Sequence, residues 1–144
     1  MQLWGWLSGL RGLEELPSRL TSWPGNCLGG KAFSSKQWGQ FEDLLWKIGA
    51  KVKFVPEIPG GVAAFDRATN TLKFLEGKSV TLLQGFHEYG HALHLDKIGL
   101  KAYEELTKGE REQWVLDWME GLPLWNHLNA TEKAAARAQP GRYR

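Results

Sequence analysis

Apolar residues recur at helical spacing through several stretches of this chain and cluster in three short runs between turn signals. From Met1 to about Leu20, the residues Leu3, Trp4, Leu7, Leu10, Leu13 and Leu20 return every three to four positions, weakened by Gly5, Gly9 and Gly12. This predicts a short or frayed helix. Ser22 to Gly30 carries Pro24, Gly25, Gly29 and Gly30 and predicts a loop. Residues 1–30 thus read as a lead-in segment or linker, and 31–144 as the main domain. Ser34 or Ser35 can cap a helix whose stripe is Trp38, Phe41, Leu44, Leu45 and Ile48, with Gly49 as its stop. Val52–Val55, Val62–Phe65 and Thr71–Leu75 read as three strands, divided by Pro59-Gly60-Gly61 and by the turn ending at Asn70. Asn70 and Gly77 suit positive-φ turn positions. Strands that follow one another so closely predict an antiparallel meander.

A long, largely apolar helical pattern starts at Ser79 or Thr81 and ends at Gly99. A short helix over Lys101–Leu106 follows. Thr107-Lys108-Gly109-Glu110 has the spacing of a capping box and opens a helix that runs to a Gly121 stop, with Pro123 just beyond. Asn129-Ala130-Thr131-Glu132 repeats the box and opens a last helix to about Gln139, ended by Pro140-Gly141. The first three of them, Asn129-Ala130-Thr131, also fit a glycosylation sequon, but the cap is the simpler role. The plan is α+β: a small antiparallel three-stranded sheet packed against a long helix and further helices.

Composition narrows the class. Hydrophobic residues make 42% and charged residues 24% of the chain, a soluble globular mixture with no run long enough to span a membrane. The apolar start lacks a basic n-region and does not read as a secretory signal, which predicts a cytosolic protein in the cell that makes it. A net charge of +2 is too small to imply nucleic-acid binding. Arg137, Arg142 and Arg144 read as a solvated basic tail. The single Cys27 excludes an intrachain disulfide framework and a cysteine-rich zinc site. With 8 Trp the chain has either an aromatic-packed core or an aromatic surface for a partner.

The candidate chemistry lies in the long helix. His87-Glu88-Tyr89-Gly90-His91 is a His-Glu-x-x-His motif. Four residues apart on a helix, His87 and His91 project from one face and can share a metal ion, and Glu88 lies one step round as a general base. With 4 His and 12 Glu in 144 residues, chance yields this pattern in roughly one such chain in a hundred. Imidazoles and a carboxylate on a buried helix also need polar partners or a metal to offset desolvation.

A catalytic zinc site needs a third protein ligand. The extended motif with a third histidine is absent, because position 94 is His and position 97 is Lys. The helix after Thr107 offers Glu110, Glu112, Asp117 and Glu120. Glu110 is better used in the capping box. Glu112 shares a face with Val115, Leu116 and Met119 and points inward, which makes it the first choice, with Glu110, Glu120 and His127 as alternatives. His94 falls one turn beyond His91, as a second-sphere group or as a core histidine. Tyr89, Tyr103 and His127 are candidates to donate a hydrogen bond to a developing oxyanion.

From about Phe54 to Arg137 the chain resembles the zincin-like metallopeptidase toxin domains of bacterial polymorphic toxins. The matching residues are Gly61 to Phe74, His87 to His91, Tyr103, Glu112-Gln113-Trp114-Val115, Trp125 and Asn129 to Glu132. The resemblance implies a compact zincin-like domain over 31–144, Glu112 as third zinc ligand, a protein or peptide substrate, delivery into a target cell as part of a larger effector, and a cognate immunity protein. The motif helix, with Gly90, Ala92 and Leu93 in place and Leu122-Pro123 after the next helix, also resembles the ImmA/IrrE-like peptidases. It departs from them in placing His94 one position early and in lacking an Ala-x-x-Phe-Ala signature after Glu112. That likeness implies a regulatory peptidase acting on a repressor. A third reading is a partner-recognition domain with a purely structural zinc, which would have no use for Glu88.

Overall fold

The computed structural model describes residues 30–143 together with Ser22–Trp23 and Asn26–Cys27. The helix expected before Leu20 lies outside the described residues. Inside the expected loop after it, β1 (Ser22–Trp23) pairs antiparallel with β2 (Asn26–Cys27). Next come α1 (Ser35–Lys47), β3 (Lys51–Val55), β4 (Ala63–Asp66), β5 (Thr71–Leu75), α2 (Leu82–Glu105) and α3 (Lys108–Glu120). A 3-10 turn over Pro123–His127, α4 (Ala130–Ala138) and a second 3-10 turn over Pro140–Tyr143 complete the chain. The fold is α+β, as expected.

Local chemistry explains where the helices start. Each of the four α-helices among the described residues opens on a reciprocal capping box: Ser34 with Gln37, Thr81 with Gln84, Thr107 with Glu110 and Asn129 with Glu132. In each, the cap side chain accepts from the backbone N–H three residues on, and that residue's side chain accepts from the cap's own N–H. The cap at Asn129 uses the sequon's asparagine, in agreement with the sequence reading. Glycines supply the breaks. Gly49 has φ +68°, and Gly99, at φ +83° and ψ 160°, interrupts α2 where the pattern stopped. Asn70 (φ +52°) and Gly77 (φ +72°) occupy the expected turn positions.

The sheet corrects the sequence reading. Its order is β3-β5-β4, with β4 antiparallel to β5 but β3 parallel to it, so it is a mixed sheet and not an antiparallel meander. Two features account for this. The loop from Pro56 to Val62 is too long for a tight hairpin, so β3 and β4 can leave one strand's width between them. And β5 has the most to bury: Thr71, Leu72 and Phe74 are buried, whereas every β3 residue is partly or fully exposed. The strand with the most apolar surface takes the centre. Lys51 and Lys53 then mark β3 as an edge that resists pairing with other chains.

The helix α2 lies against β4 and β5, and α3 packs along α2. An aromatic cluster joins the layers, with Phe41 of α1 4.9 Å from Phe33, 5.3 Å from Phe86 and 6.0 Å from Tyr89 between ring centroids. Trp125 is buried, and Trp38, Trp114 and Trp118 pack at the core's border, while Trp46 stands exposed on α1. Among the described tryptophans the core-packing role therefore dominates. Among the described residues no helix is long and apolar enough to cross a membrane.

The approach of α3 to α2 depends on Gly90. A Cβ there would lie 2.9 Å from Val115 Cγ1 and 3.0 Å from the Trp118 ring. Gly90→Ala should gain about 1 kcal/mol of helix propensity and lose about 1–3 kcal/mol to overpacking. We expect a net loss, read as a lowered urea midpoint. A midpoint that holds or rises would show that the helices are not in close contact at this point.

Candidate metal centre

The side chains of His87 and His91 stand one turn apart on α2, with ring centroids 5.0 Å apart and planes at 79°. Glu112 reaches them from the second turn of α3. Its Oε1 lies 3.0 Å from His87 Nε2 and its Oε2 2.6 Å from His91 Nε2. The three residues bring one ligand atom each within 4.8 Å of the others, and this group is able to hold a metal ion. Two imidazole nitrogens and a carboxylate are the donors that divalent zinc-like ions take, and three protein ligands leave a position open. Fit is supported from behind as well. Tyr103, beyond the Gly99 break, places its hydroxyl 3.1 Å from His91 Nδ1. A hydroxyl both donates and accepts. It can donate to Nδ1 while Nε2–H donates to Glu112, or accept from Nδ1–H when Nε2 binds a metal. Phe65 of β4 lies nearly parallel to the His91 ring at 6.3 Å and limits its tilt.

Burial and charge oppose each other throughout the cluster. Burial raises Glu112, but the hydrogen bonds and charges of His87 and His91 outweigh it and hold the carboxyl far below the usual range. Burial lowers His87, but Glu112's hydrogen bond and the charges of Glu88 and Glu112 leave it above its ordinary value. Glu88 is buried, and burial raises it against the opposing pull of His87 and His91. A carboxyl that holds a proton more readily than usual is suited to proton transfer. Burial pushes Tyr103 up to about 12, so its hydroxyl keeps its proton.

These residues face a cavity of about 590 Å³. Its walls are the Ile58–Val62 loop, β4, the motif face of α2, the start of α3 and the C-terminal helix and turn. His87, Glu88, His91, Glu112 and Tyr103 all line it.

The other sequence candidates fall elsewhere. Glu110 is tied to Thr107 as a cap, and Glu120 accepts from Arg137 Nε at 3.0 Å, so neither is a ligand. Asp117 accepts from Gln113. His127 sits in the 3-10 turn and does not line the cavity. Tyr89 is buried against Phe41, Phe86 and Trp118, on the core side of α2. Tyr103 is spent on His91 rather than aimed at an oxyanion. His94 is stacked on Trp114 at 4.1 Å and 3°, and meets Tyr103 edge-on at 5.5 Å. It is a core histidine that backs the tyrosine. Arg137 and Arg142 are exposed, as expected of the basic tail, but Arg142 also lines the cavity, because Pro140 is buried and the chain there packs on α3. Sequence reasoning also missed Phe65, Arg67, Lys108 and Arg111 in the cavity wall, and no local spacing marks them.

No protein-family model, curated protein or solved structure matches the chain. The functional reading therefore rests on this cluster and its cavity.

Two outcomes follow from the geometry. Tyr103→Phe removes the group that orients His91 and should weaken divalent-metal affinity about 10- to 100-fold, measured by competition with a chromogenic chelator. Unchanged affinity would mean that Phe65 and packing alone hold the ring. The second concerns pH. Glu112's folded pKa is depressed, so its stabilisation is complete above the ordinary value of 4.5 and is lost as pH falls through the folded value. His87's is raised, so its share is complete below 6.5 and is lost as pH rises through the folded value. In metal-free protein the stability advantage of wild type over Glu112→Gln should peak between about pH 4.5 and 6.5. Urea midpoints at pH values below, within and above that window test it, and an advantage still growing above the window contradicts the pairing.

Proposed function

We propose that this chain is a zinc-dependent peptidase with a zincin-like active site, held by His87, His91 and Glu112 and served by Glu88. The observation that carries the reading is the position of Glu88. It is a buried carboxyl, next to the first histidine, opening on the same cavity as the three-residue group. A purely structural metal site needs no fourth, proton-holding group facing a cavity of substrate size.

When bound, zinc supplies Lewis acidity toward a carbonyl and lowers the pKa of water. The chain's own residues do the rest. Glu88 takes a proton from the attacking water and returns it to the departing amine, so the peptide C–N bond breaks while a C–O bond forms. Its raised pKa suits both halves of that transfer. Tyr103 holds the orientation of His91 through Nδ1, in either tautomer. Phe65 and the Ile58–Val62 loop cover one side of the reacting region and limit its contact with bulk water.

The resemblance of Phe54–Arg137 to toxin domains of polymorphic toxin systems supports a place as the toxic part of a delivered effector. An immunity protein would then act by covering the cavity mouth. The test uses zinc-loaded wild type and Glu88→Gln on a pool of unstructured peptides, with zinc per chain measured in both. The variant should keep its zinc and lose cleavage by about two orders of magnitude or more. Growth arrest on expression in bacteria, lost in Glu88→Gln, supports the toxin role, and cleavage without arrest favours a regulatory peptidase. Folded wild type that binds no zinc, or a variant that still cleaves, would sink the enzyme reading.

A further inference from the structure

Four cationic residues line the cavity beside the metal cluster: Arg67 from the turn between β4 and β5, Lys108 and Arg111 from the start of α3, and Arg142 from the C-terminal turn. Among the described residues the acidic side chains lining it are Glu88 and Glu112, both in or beside the metal cluster, and Lys108 acts on Glu88 as well. The chain as a whole is nearly balanced, with 18 basic and 16 acidic residues, so the bias is local. Arg67 pairs with Glu104 at 3.2 Å, with both side chains about half exposed, and such a pair is weak. Arg111 has no carboxylate within ion-pair distance among the described residues. Its guanidinium lies 5.1 Å over the Tyr103 ring, the ring whose hydroxyl meets His91. Arg111 is thus held on a packed support beside the reacting centre.

Helix stability does not account for this placement. The N-terminal end of a helix carries partial positive charge and disfavours cations. Yet α3 bears Lys108 and Arg111 near its start and has no basic residue in its last turn. The capping carboxylate Glu110 relieves part of that conflict but points at Thr107, away from the cavity. A guanidinium over a ring, with two exposed cations lining the same cavity, has the chemistry to receive a carboxylate.

We propose that Arg111, with Lys108 and Arg142, forms an anion subsite that takes a carboxylate of the substrate next to the scissile bond. This rests on the peptidase reading for its role but not for its detection, because binding can be measured without turnover. The carboxylate has two sources, an acidic side chain or the free end of a peptide. Four matched hexapeptide pools separate them: a fixed central Glu or Gln, each with a free or an amidated C-terminus.

Binding is measured on zinc-loaded Glu88→Gln protein, and cleavage on zinc-loaded wild type. We expect the Glu pools, or the free-end pools, to bind about ten-fold or more tightly than their neutral partners, and the preference to fall as salt rises. Arg111→Gln and Arg142→Gln, each added to Glu88→Gln, should reduce that ratio. Arg111→Lys should keep more of it than Arg111→Gln, because it retains the charge while losing the guanidinium's contact with the Tyr103 ring. Each ratio is taken within one protein, so partial misfolding does not mimic the effect. Preferential binding without cleavage upholds the subsite and removes the peptidase reading. Cleavage with no acidic or free-end preference overturns the subsite and leaves the peptidase. Equal loss of preference in Arg111→Lys and Arg111→Gln would mean that Arg111 acts only by packing on Tyr103, and it overturns the subsite as drawn. If none of the pools binds and none is cleaved, the subsite is likewise overturned.

Discussion

The contact between α2 and α3 at Gly90 governs the arrangement. With no Cβ in the way, Val115 and Trp118 close on the α2 backbone, and the same approach brings Glu112, one turn earlier on α3, onto the two histidines. Any residue with a side chain at that point would separate the helices by a few tenths of an ångström or more. The cluster could not absorb that easily, since one carboxylate meets two imidazoles at 3.0 and 2.6 Å. Gly90 is therefore as much a part of the site as the residues on either side of it. Packing and chemistry share one interface, which is why the motif includes a residue with no chemistry of its own.

The parts of this structure that were legible in the sequence are those fixed by residues three or four apart. The capping boxes at Thr107 and Asn129, the Gly99 break and the His87–His91 face all obey that rule. Glu112 was legible one step less directly. Its neighbours on α3 are apolar, and the capping box already claims Glu110 for Thr107, whereas the pairing of Glu120 with Arg137 is displayed only by the structure. Strand order was not legible. Three adjacent strands look the same to local pattern whether β5 sits last or in the middle. Only the competition to bury Leu72 and Phe74 puts it in the centre and makes its pairing with β3 parallel. Tyr103 was visible as a candidate but not in its role, because its hydroxyl reaches His91 across a helix break. Arg142 is solvated as its sequence suggests, but its place at the cavity was not legible, because nothing in a terminal arginine run foretells that Pro140 will be buried.

The site's stability and its reactivity draw on the same opposition. Removing carboxylates and imidazoles from water is unfavourable, and Glu112 offsets it for His87 and His91 at once. Glu88 is left with burial as its dominant influence, and so keeps a raised pKa among groups that would otherwise lower it. Two glutamates 24 positions apart in sequence thus share one cavity with opposite shifts. One is held as an anion by two imidazoles, and the other keeps its proton more readily than an ordinary carboxyl. Divergent environments of this kind separate a ligand from a base more reliably than sequence identity does.

The apolar core and the polar cluster occupy separate places in the fold. The core of Phe41, Phe74, Phe86, Leu72, Val115 and Met119 is apolar and contains no ligand. It joins sheet, α1, α2 and α3 without reference to a metal, and the capping boxes define the helix ends independently. A small metal-nucleated domain has no such core and gains its fold with its ion. Here the core stands apart from a cluster whose members hydrogen-bond to one another. A metal ion taken by the three would have to replace those contacts, so part of its binding energy would exchange for hydrogen bonds rather than add to stability. The second-sphere contact moderates that exchange, because the Tyr103 hydroxyl can reverse its direction without moving and satisfies His91 in both tautomers.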